Sequence, residues 1–383
     1  MGKWAGKYVI GLTGNIGTGK SVVRRMLEHL GAYGIDADTL GHRAIAKGAP
    51  GYQPVLTTFG RFVLAPSGEI DRARLGRIVF NDPEALTLLE QIVHPLVEQA
   101  VDMIIRRASQ PVIVIEAIKL LESNLFNVCD SVWVAYAPPE VQLVRLMHNR
   151  HMSESEARMR ISTQPSQELK RAAAKVVIKN FSTYEDTWRQ VVEAWKKTVP
   201  VAPETAPTPV HAAVTRPLPV AELIVTRGRP RHSLEIAQVI NRIRRPSHPL
   251  RKDDVMAAFG EKAFLLLQSG QESLGVIGWQ VENLVSRTTD IVIDPALPLD
   301  KALPALVTEM ERASKDLQCE ASLVFAPPEL ARYETIWRGL GYERRNPQSL
   351  SVLAWQEAAQ ESMQTGAVLY FKQLRVDRIL RPI

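Results

Sequence analysis

Cysteine is nearly absent from this sequence, and Cys129 and Cys319 are the whole supply. Two thiols so far apart build neither a disulfide framework nor a cysteine metal site, so both read as buried thiols. Long apolar runs are missing too. Nothing approaches the roughly 18 consecutive apolar residues of a membrane-spanning helix, and no charged-then-apolar leader precedes the first apolar segment. The expectation is a cytoplasmic protein with no membrane partner. Aromatic residues make up 6% of the chain and do not interleave with a basic stripe, which argues against nucleic acid as a partner. A large excess of either charge is also lacking. Residues 1–200 carry 25 Lys+Arg against 20 Asp+Glu, and the remainder 22 against 21. The small basic surplus travels with the first half, where phosphate-rich small ligands account for it as well as nucleic acid would.

What is present begins at Tyr8. The run Tyr8, Val9, Ile10, Leu12, Thr13 reads as a buried parallel strand. Gly14-Asn15-Ile16-Gly17-Thr18-Gly19-Lys20-Ser21 then fits G-x-x-x-x-G-K-[ST], and Val22 to Leu30 continues as a helix. In this order of strand, glycine loop and helix, backbone N–H groups can wrap a phosphate, with the positive end of the helix dipole behind them. Lys20 reaches the β- and γ-phosphates, the Ser21 hydroxyl ligates Mg²⁺, and Gly14 to Val22 together form the candidate ATP site.

Further along, Ile35-Asp36-Ala37-Asp38 puts two carboxylates on what reads as an extended stretch, both pointing the same way. Asp36, at a strand end beside the loop, is the candidate base, and Asp38 is a candidate helix N-cap. Residues 50–107 read as mostly helical: a Phe59-Gly60 turn, a helix from Leu75 to Phe80, and one starting at Asp82-Pro83-Glu84 that Pro95 should break, leaving His94 at a junction. Val112 to Glu116 is a second parallel strand with an acid at its C-terminal end, and Ser131 to Tyr136 a third. Glu140 to Arg150 reads as a lid helix whose Arg145 and Arg150 are candidates to close over phosphates, whereas Arg158, Arg160 and Arg171 lean towards solvated surface charge. Ser153 and Glu156 form a capping box. Val176 to Ile178 and the helix from Tyr184 to Lys197 close an α/β unit with a parallel sheet covered on both faces. Residues 198–220 contain six prolines and read as an extended linker.

These residues resemble one family. GLTGNIGTGKS, IDAD at 35–38, HP at 94–95, LLES at 120–123, Arg145 with Arg150, and Arg160-Ile161 with Gln164 ahead of Asn180 are similar, in order and spacing, to dephospho-CoA kinase. The resemblance covers residues 7–197. It implies a P-loop kinase with a helical lid that transfers phosphate from ATP, with Mg²⁺, to the 3′-hydroxyl of dephospho-CoA. Asp36 matches the family's proposed base, with Lys20 and Arg145 as catalytic partners, Arg150 on ATP, and Asp38, His94 and Glu116 on the acceptor side. Rival readings are another P-loop kinase, acting for instance on nucleoside monophosphates, and a nucleotide-binding regulator without transfer activity. The sequence also departs from the family. Val22 replaces a threonine, D-x-P-L-L becomes Glu116-Ala117-Ile118-Lys119-Leu120, and His151, Lys175 and Lys179 stand where acids are usual.

Residues 221–383 carry apolar periodicities in an order of α-α-β-β-β-α-β-α-β: helices at 234–243 and 253–259, strands at 263–267, 274–281 and 290–293, and a helix at 300–317 with Pro304 in its first turn. A strand at 321–325, a helix at 329–340 and a strand at Leu350 to Trp355 come next. This order, with Trp337 to Tyr342, resembles the α+β fold of GNAT acetyltransferases. The turn that receives pyrophosphate in that fold is here Asp294-Pro295-Ala296-Leu297-Pro298-Leu299, without glycine, so the unit is expected to be folded but silent as an acetyltransferase.

Overall fold

The computed structural model describes residues 3–79, 82–150, 152–200, 223–270, 272–282 and 284–375. Phe80, His151 and all but the first three residues of the proline-rich stretch lie outside these. The chain parts into two compact units at Val199/Pro200.

In the first unit the order is β1 (Tyr8–Thr13), α1 (Lys20–His29), β2 (Tyr33–Asp36), α2 (Ala37–Ala44), α3 (Tyr52–Phe59), α4 (Arg72–Val79) and α5 (Pro83–Arg107). Then come β3 (Val112–Glu116), β4 (Ser131–Tyr136), α6 (Pro139–Arg150), α7 (Glu154–Ser162), α8 (Gln167–Ala173), β5 (Val176–Lys179) and α9 (Tyr184–Thr198). The strands form a parallel sheet in the order β2-β3-β1-β4-β5. Apolar runs without alternation are what such a sheet needs, because helices cover both faces. On one face Val23, Met26 and Leu27 of α1 and Val191 of α9 pack against Ile10, Leu12, Val114, Trp133 and Ile178. β3 lies between β1 and β2, and its register pairs Glu116 with Leu12 on one side and with Asp36 on the other.

Pro95 does not break its helix. α5 runs through it as one 25-residue element, so His94 sits half-buried in mid-helix and not at a junction. Proline forfeits one N–H and crowds the preceding turn, a penalty of about 3 kcal/mol. Burial of Val97, Ala100, Val101, Ile104 and Ile105 along one face of α5 offsets it. Ser153 caps α7 through the Glu156 N–H, but the Glu156 carboxylate pairs with Arg160, so only half of the expected box forms.

The second unit comprises β6 (Leu223–Arg227), α10 (Ser233–Arg244), α11 (Lys252–Ala258), β7 (Ala263–Ser269), β8 (Glu272–Glu282), β9 (Val285–Ile293), α12 (Leu299–Asp316) and β10 (Ala321–Ala326). It continues with α13 (Pro328–Ala331), α14 (Glu334–Gly339), β11 (Glu343–Arg344), α15 (Leu353–Ser362) and β12 (Val368–Gln373). Its sheet order is β11-β12-β10-β9-β8-β7-β6, antiparallel except for the β9/β10 pair. α12 packs Leu303, Leu306, Val307 and Met310 on one face, and α15 packs Trp355 and Ala359 on the other. The expected order is present from α10 to β10, with four corrections. Pro304 is the sixth residue of α12 and not in its first turn. The helix expected over 329–340 is broken into α13 and α14. The strand expected at Leu350 to Trp355 is a turn leading into α15, because Trp355, Ala358 and Ala359 are buried at helical spacing. The expected order also omits the strands β6, β11 and β12.

Candidate active site

β1 delivers the chain to Gly14 at the C-terminal end of the central strand, where an open parallel sheet leaves a crevice. The loop turns back into α1 through Gly19, the N-cap residue, at φ 84°. A Cβ on Gly19 would collide with the Asn180 side-chain amide, and one on Gly14 with the Ala135 carbonyl, so glycine is demanded by space as well as by conformation.

The loop is held by four hydrogen bonds from three segments: the turn at Gln164-Pro165, α6, and Asn180 after β5. Asn15 Nδ2 donates to the Pro165 carbonyl at 2.9 Å, and the Ile16 N–H donates to Gln164 Oε1 at 2.7 Å. Arg145 Nη1 donates to the Gly17 carbonyl at 3.2 Å, and Asn180 Nδ2 to the Thr18 carbonyl at 2.9 Å. Inside the loop, Thr18 Oγ1 donates to the Asn15 carbonyl at 2.8 Å. Among the described residues no protein acceptor meets the N–H groups of Gly17, Gly19, Lys20 or Ser21. These four backbone donors, interrupted only by Thr18, whose N–H goes to the Asn15 carbonyl, form an anion cradle at the positive end of α1.

Lys20 is 8% exposed, with Nζ 3.4 Å from the Asn15 carbonyl. Burial pulls its pKa down, and Arg150 adds to this, while Glu116, Asp38 and Asp36 pull it back up. Val22 comes after Ser21 on α1, with its N–H turned back to the Gly19 carbonyl at 3.1 Å.

The strand register sets Asp36 and Glu116 side by side at the C-terminal edge of the sheet. Asp36 is itself the helix N-cap: its Oδ1 accepts the Thr39 N–H at 2.9 Å. Asp38 lies inside the first turn of α2 and accepts the Ile118 N–H at 3.1 Å. The expected assignment of the cap to Asp38 is therefore wrong, because the extended stretch ends at Asp36 and the alternation of strand residues does not reach Asp38. Burial, then the Asp36 charge, pushes Asp38 up to about 6 against the pull of Lys20 and the Ile118 N–H. Glu116 is buried, and both its oxygens face α1: Oε1 accepts from Ser21 Oγ at 2.8 Å and Oε2 from Arg24 Nε at 2.7 Å.

Of the lid candidates, Arg145 touches the loop and Arg150 is exposed at the end of α6. Arg158, Arg160 and Arg171 pair with Glu154, Glu156 and Glu168 on the surface of their own helices. His94 is not brought to the loop by any contact the structure shows, and α5 meets α2 instead through Val93 and Val97 against Gly41. Cys129 is half-buried, and its pKa is raised to about 12 by burial and Asp130. Sequence reasoning gave no role to Arg24, Gln164, Lys170 or Asn180. Arg24 had a signal: a buried acid at the end of β3 needs a cation, and Arg24 lies one helical turn beyond Ser21.

A sequence profile described as dephospho-CoA kinase matches residues 8–186. A dephospho-CoA kinase of Geobacter sulfurreducens is 40% identical over 195 residues, which is 50% of this chain and 99% of the relative. The chain belongs to the dephospho-CoA kinase family. A solved dephospho-CoA kinase from Campylobacter jejuni aligns with 51% of this chain and 98% of its own at 27% identity and a TM-score of 0.35. An acetyltransferase of the GNAT family from Staphylococcus aureus aligns with 40% of this chain and 100% of its own at 13% identity and a TM-score of 0.32. Kinase membership rests on the first unit alone. The family departures that can be placed lie mostly outside the cradle: Lys175 and Lys179 are exposed, and Lys119 pairs with Glu90 of α5 at 2.6 Å.

Proposed function

We propose that the first unit transfers the γ-phosphoryl group of ATP to the 3′-hydroxyl of dephospho-CoA, giving CoA and ADP. The observation that carries this reading is the convergence of four unclaimed N–H groups and buried Lys20 with Asp36 and Glu116 at one sheet edge, in a chain of this family. The cradle orients the phosphates of ATP, and Lys20 offsets charge on the group in transit. Asp36 accepts the proton of the attacking hydroxyl; its N-cap bond occupies one side of one oxygen and leaves the other oxygen free for this. Arg145, already on the Gly17 carbonyl, balances charge on the γ-phosphate as a lid cation, assisted by Arg150, whose charge acts on Lys20. The residues fit Mg²⁺ as well. Ser21 Oγ and Glu116 Oε1 are hard oxygen donors 2.8 Å apart, and this ion takes few protein ligands, leaving the rest to phosphate and water. Among the described residues no cluster of three His, Cys, Asp or Glu could hold a metal unaided. When bound, the ion supplies charge neutralisation on the phosphates. No described helix is long and apolar enough to cross a membrane.

A coupled ADP-release assay across candidate acceptors tests this. Release with dephospho-CoA is expected. Release only with a nucleoside monophosphate identifies another kinase class, and release with none identifies a nucleotide-binding regulator.

A further inference from the structure

Two titratable groups near the site, buried Lys170 and half-buried Asp38, take no part in the transfer itself. Lys170 of α8 is 2% exposed, and its Nζ donates to the Ile118 carbonyl at 2.8 Å. The Thr13 hydroxyl, at the end of β1, donates to the same carbonyl at 3.1 Å. The Ile118 N–H donates to Asp38. Residue 118 is thus held at both of its polar groups, the carbonyl by α8 and β1, the N–H by α2, in the turn just beyond β3.

Isoleucine is what makes this possible. The family pattern carries proline here, and proline has no N–H to donate. The link between this turn and Asp38 therefore needs a residue other than proline at position 118.

We propose that Lys170 is a positioning residue for phosphoryl transfer: it fixes the Ile118 carbonyl and, through the Ile118 N–H, holds Asp38 beside Asp36 on the acceptor side of the site. The proposal rests on the kinase reading of the first unit. Three further facts agree with it. Asp38 and Asp36 sense each other electrostatically, and both act on Lys20, so a displaced Asp38 changes the field at the transfer point. The brace spans three elements distant in sequence, which a purely local packing role would not require. Finally, burial and then Lys20 bring Lys170 down to about 8, although Glu122 and Asp38 pull it up. The fold thus favours the charged form of Lys170 less, relative to its neutral form, than the unfolded chain does.

The test uses the full chain. With ¹⁵N-isoleucine labelling, the Ile118 amide is identified by its disappearance in Ile118→Pro, and its hydrogen exchange is monitored. Slow exchange in the wild type, faster by about tenfold or more in both Lys170→Met and Asp38→Asn, is expected. In kinetics, Lys170→Met should lower kcat with dephospho-CoA by about tenfold, as small misplacements of reacting groups do. Its KM for ATP should stay within about twofold, and its thermal midpoint at or above that of the wild type. The Lys170→Met, Ile118→Pro double variant should be no worse than the poorer single variant, because both cut one brace. Unchanged kcat in Lys170→Met, or losses that multiply in the double variant, would overturn the proposal. Should Lys170→Met fail to fold, Ile118→Pro combined with Asp38→Asn is judged by the same criterion. A wild type that phosphorylates no acceptor defeats the kinase reading, and the exchange data then decide the brace alone: unaltered protection in Lys170→Met refutes it.

Discussion

Both units send a strand into a turn and then into a helix, and the two turns have opposite chemistry. Ahead of α1, the N–H groups of Gly17, Gly19, Lys20 and Ser21 meet no protein acceptor among the described residues. Ahead of α12, Pro295 and Pro298 have no N–H, Ala296 gives its own to Asp294 Oδ1 at 3.0 Å, and Leu297 gives its own to the Asp294 carbonyl at 3.0 Å. The first turn offers four donors to a ligand. The second uses its own at Ala296 and Leu297 and leaves only those of Leu299 and Asp300, the first two residues of α12. Fold alone therefore says little about chemistry at such a turn, since glycine frees backbone donors for a phosphate and proline deletes them.

The largest test of this contrast is on the chemical step. Asp36→Asn should cut turnover by about 10²–10⁴-fold with ATP affinity retained, because asparagine caps a helix as well as aspartate does but accepts no proton. Loss confined to Asp38→Asn would move the base to Asp38. Next is the buried pair that backs the first turn. Arg24→Met strands the Glu116 carboxylate with only the Ser21 hydroxyl and should lower stability by about 3 kcal/mol in urea unfolding, whereas Arg312→Met on the exposed face of α12 should change it by less than about 1 kcal/mol.

A smaller effect separates the units by pH. Asp38 has a folded pKa raised to about 6 from the ordinary 3.8, so the folded chain holds an extra proton in between, and its contribution to stability falls as pH rises from about 4 to 6. In the second unit, burial pushes Asp290 up, but Lys262 and Arg244 outweigh it and hold the pKa below the ordinary value. Its contribution is present above that value and is lost as pH falls. Unfolding curves of Asp38→Asn and Asp290→Asn against pH should deviate from the wild type with opposite slopes. The smallest expected effect is none: incubated with acetyl-CoA and primary amines, the full chain should show no acetyl transfer above background. Transfer, or micromolar binding of acetyl-CoA abolished by a substitution in the second unit, would erase the contrast between the turns.

The two units also differed in how far they could be read. The glycine loop, its strand and its helix were legible because the requirement is local: space and positive φ at Gly19, a cation at 20 and a hydroxyl at 21. Helices with a one-sided apolar stripe, such as α1 and α12, were legible for a similar reason. Leu350 to Trp355 misled because alternation over a few residues is ambiguous, and the decision fell to Ala358 and Ala359 further along. Pro95 misled because packing against neighbouring helices, invisible along the chain, outweighs one missing hydrogen bond. That the cap falls on Asp36 and not on Asp38 turned on a two-residue shift of the helix boundary.

By itself, the sequence determined that a glycine loop of the phosphate-binding pattern follows the first strand, that the strands of the first unit lie parallel, and that the turn before α12 has prolines where the first turn has glycines. Each stems from the conformational limits of glycine, proline and short apolar runs, which act over a few residues. Only the tertiary structure decided that Glu116 is held by Ser21 and Arg24, that Gln164 and Asn180 clamp the loop from outside, and that Ile118 stands between Lys170 and Asp38. Those are bonds between groups distant in sequence, and buried polar atoms find their partners only once the sheet register has brought the strand ends together.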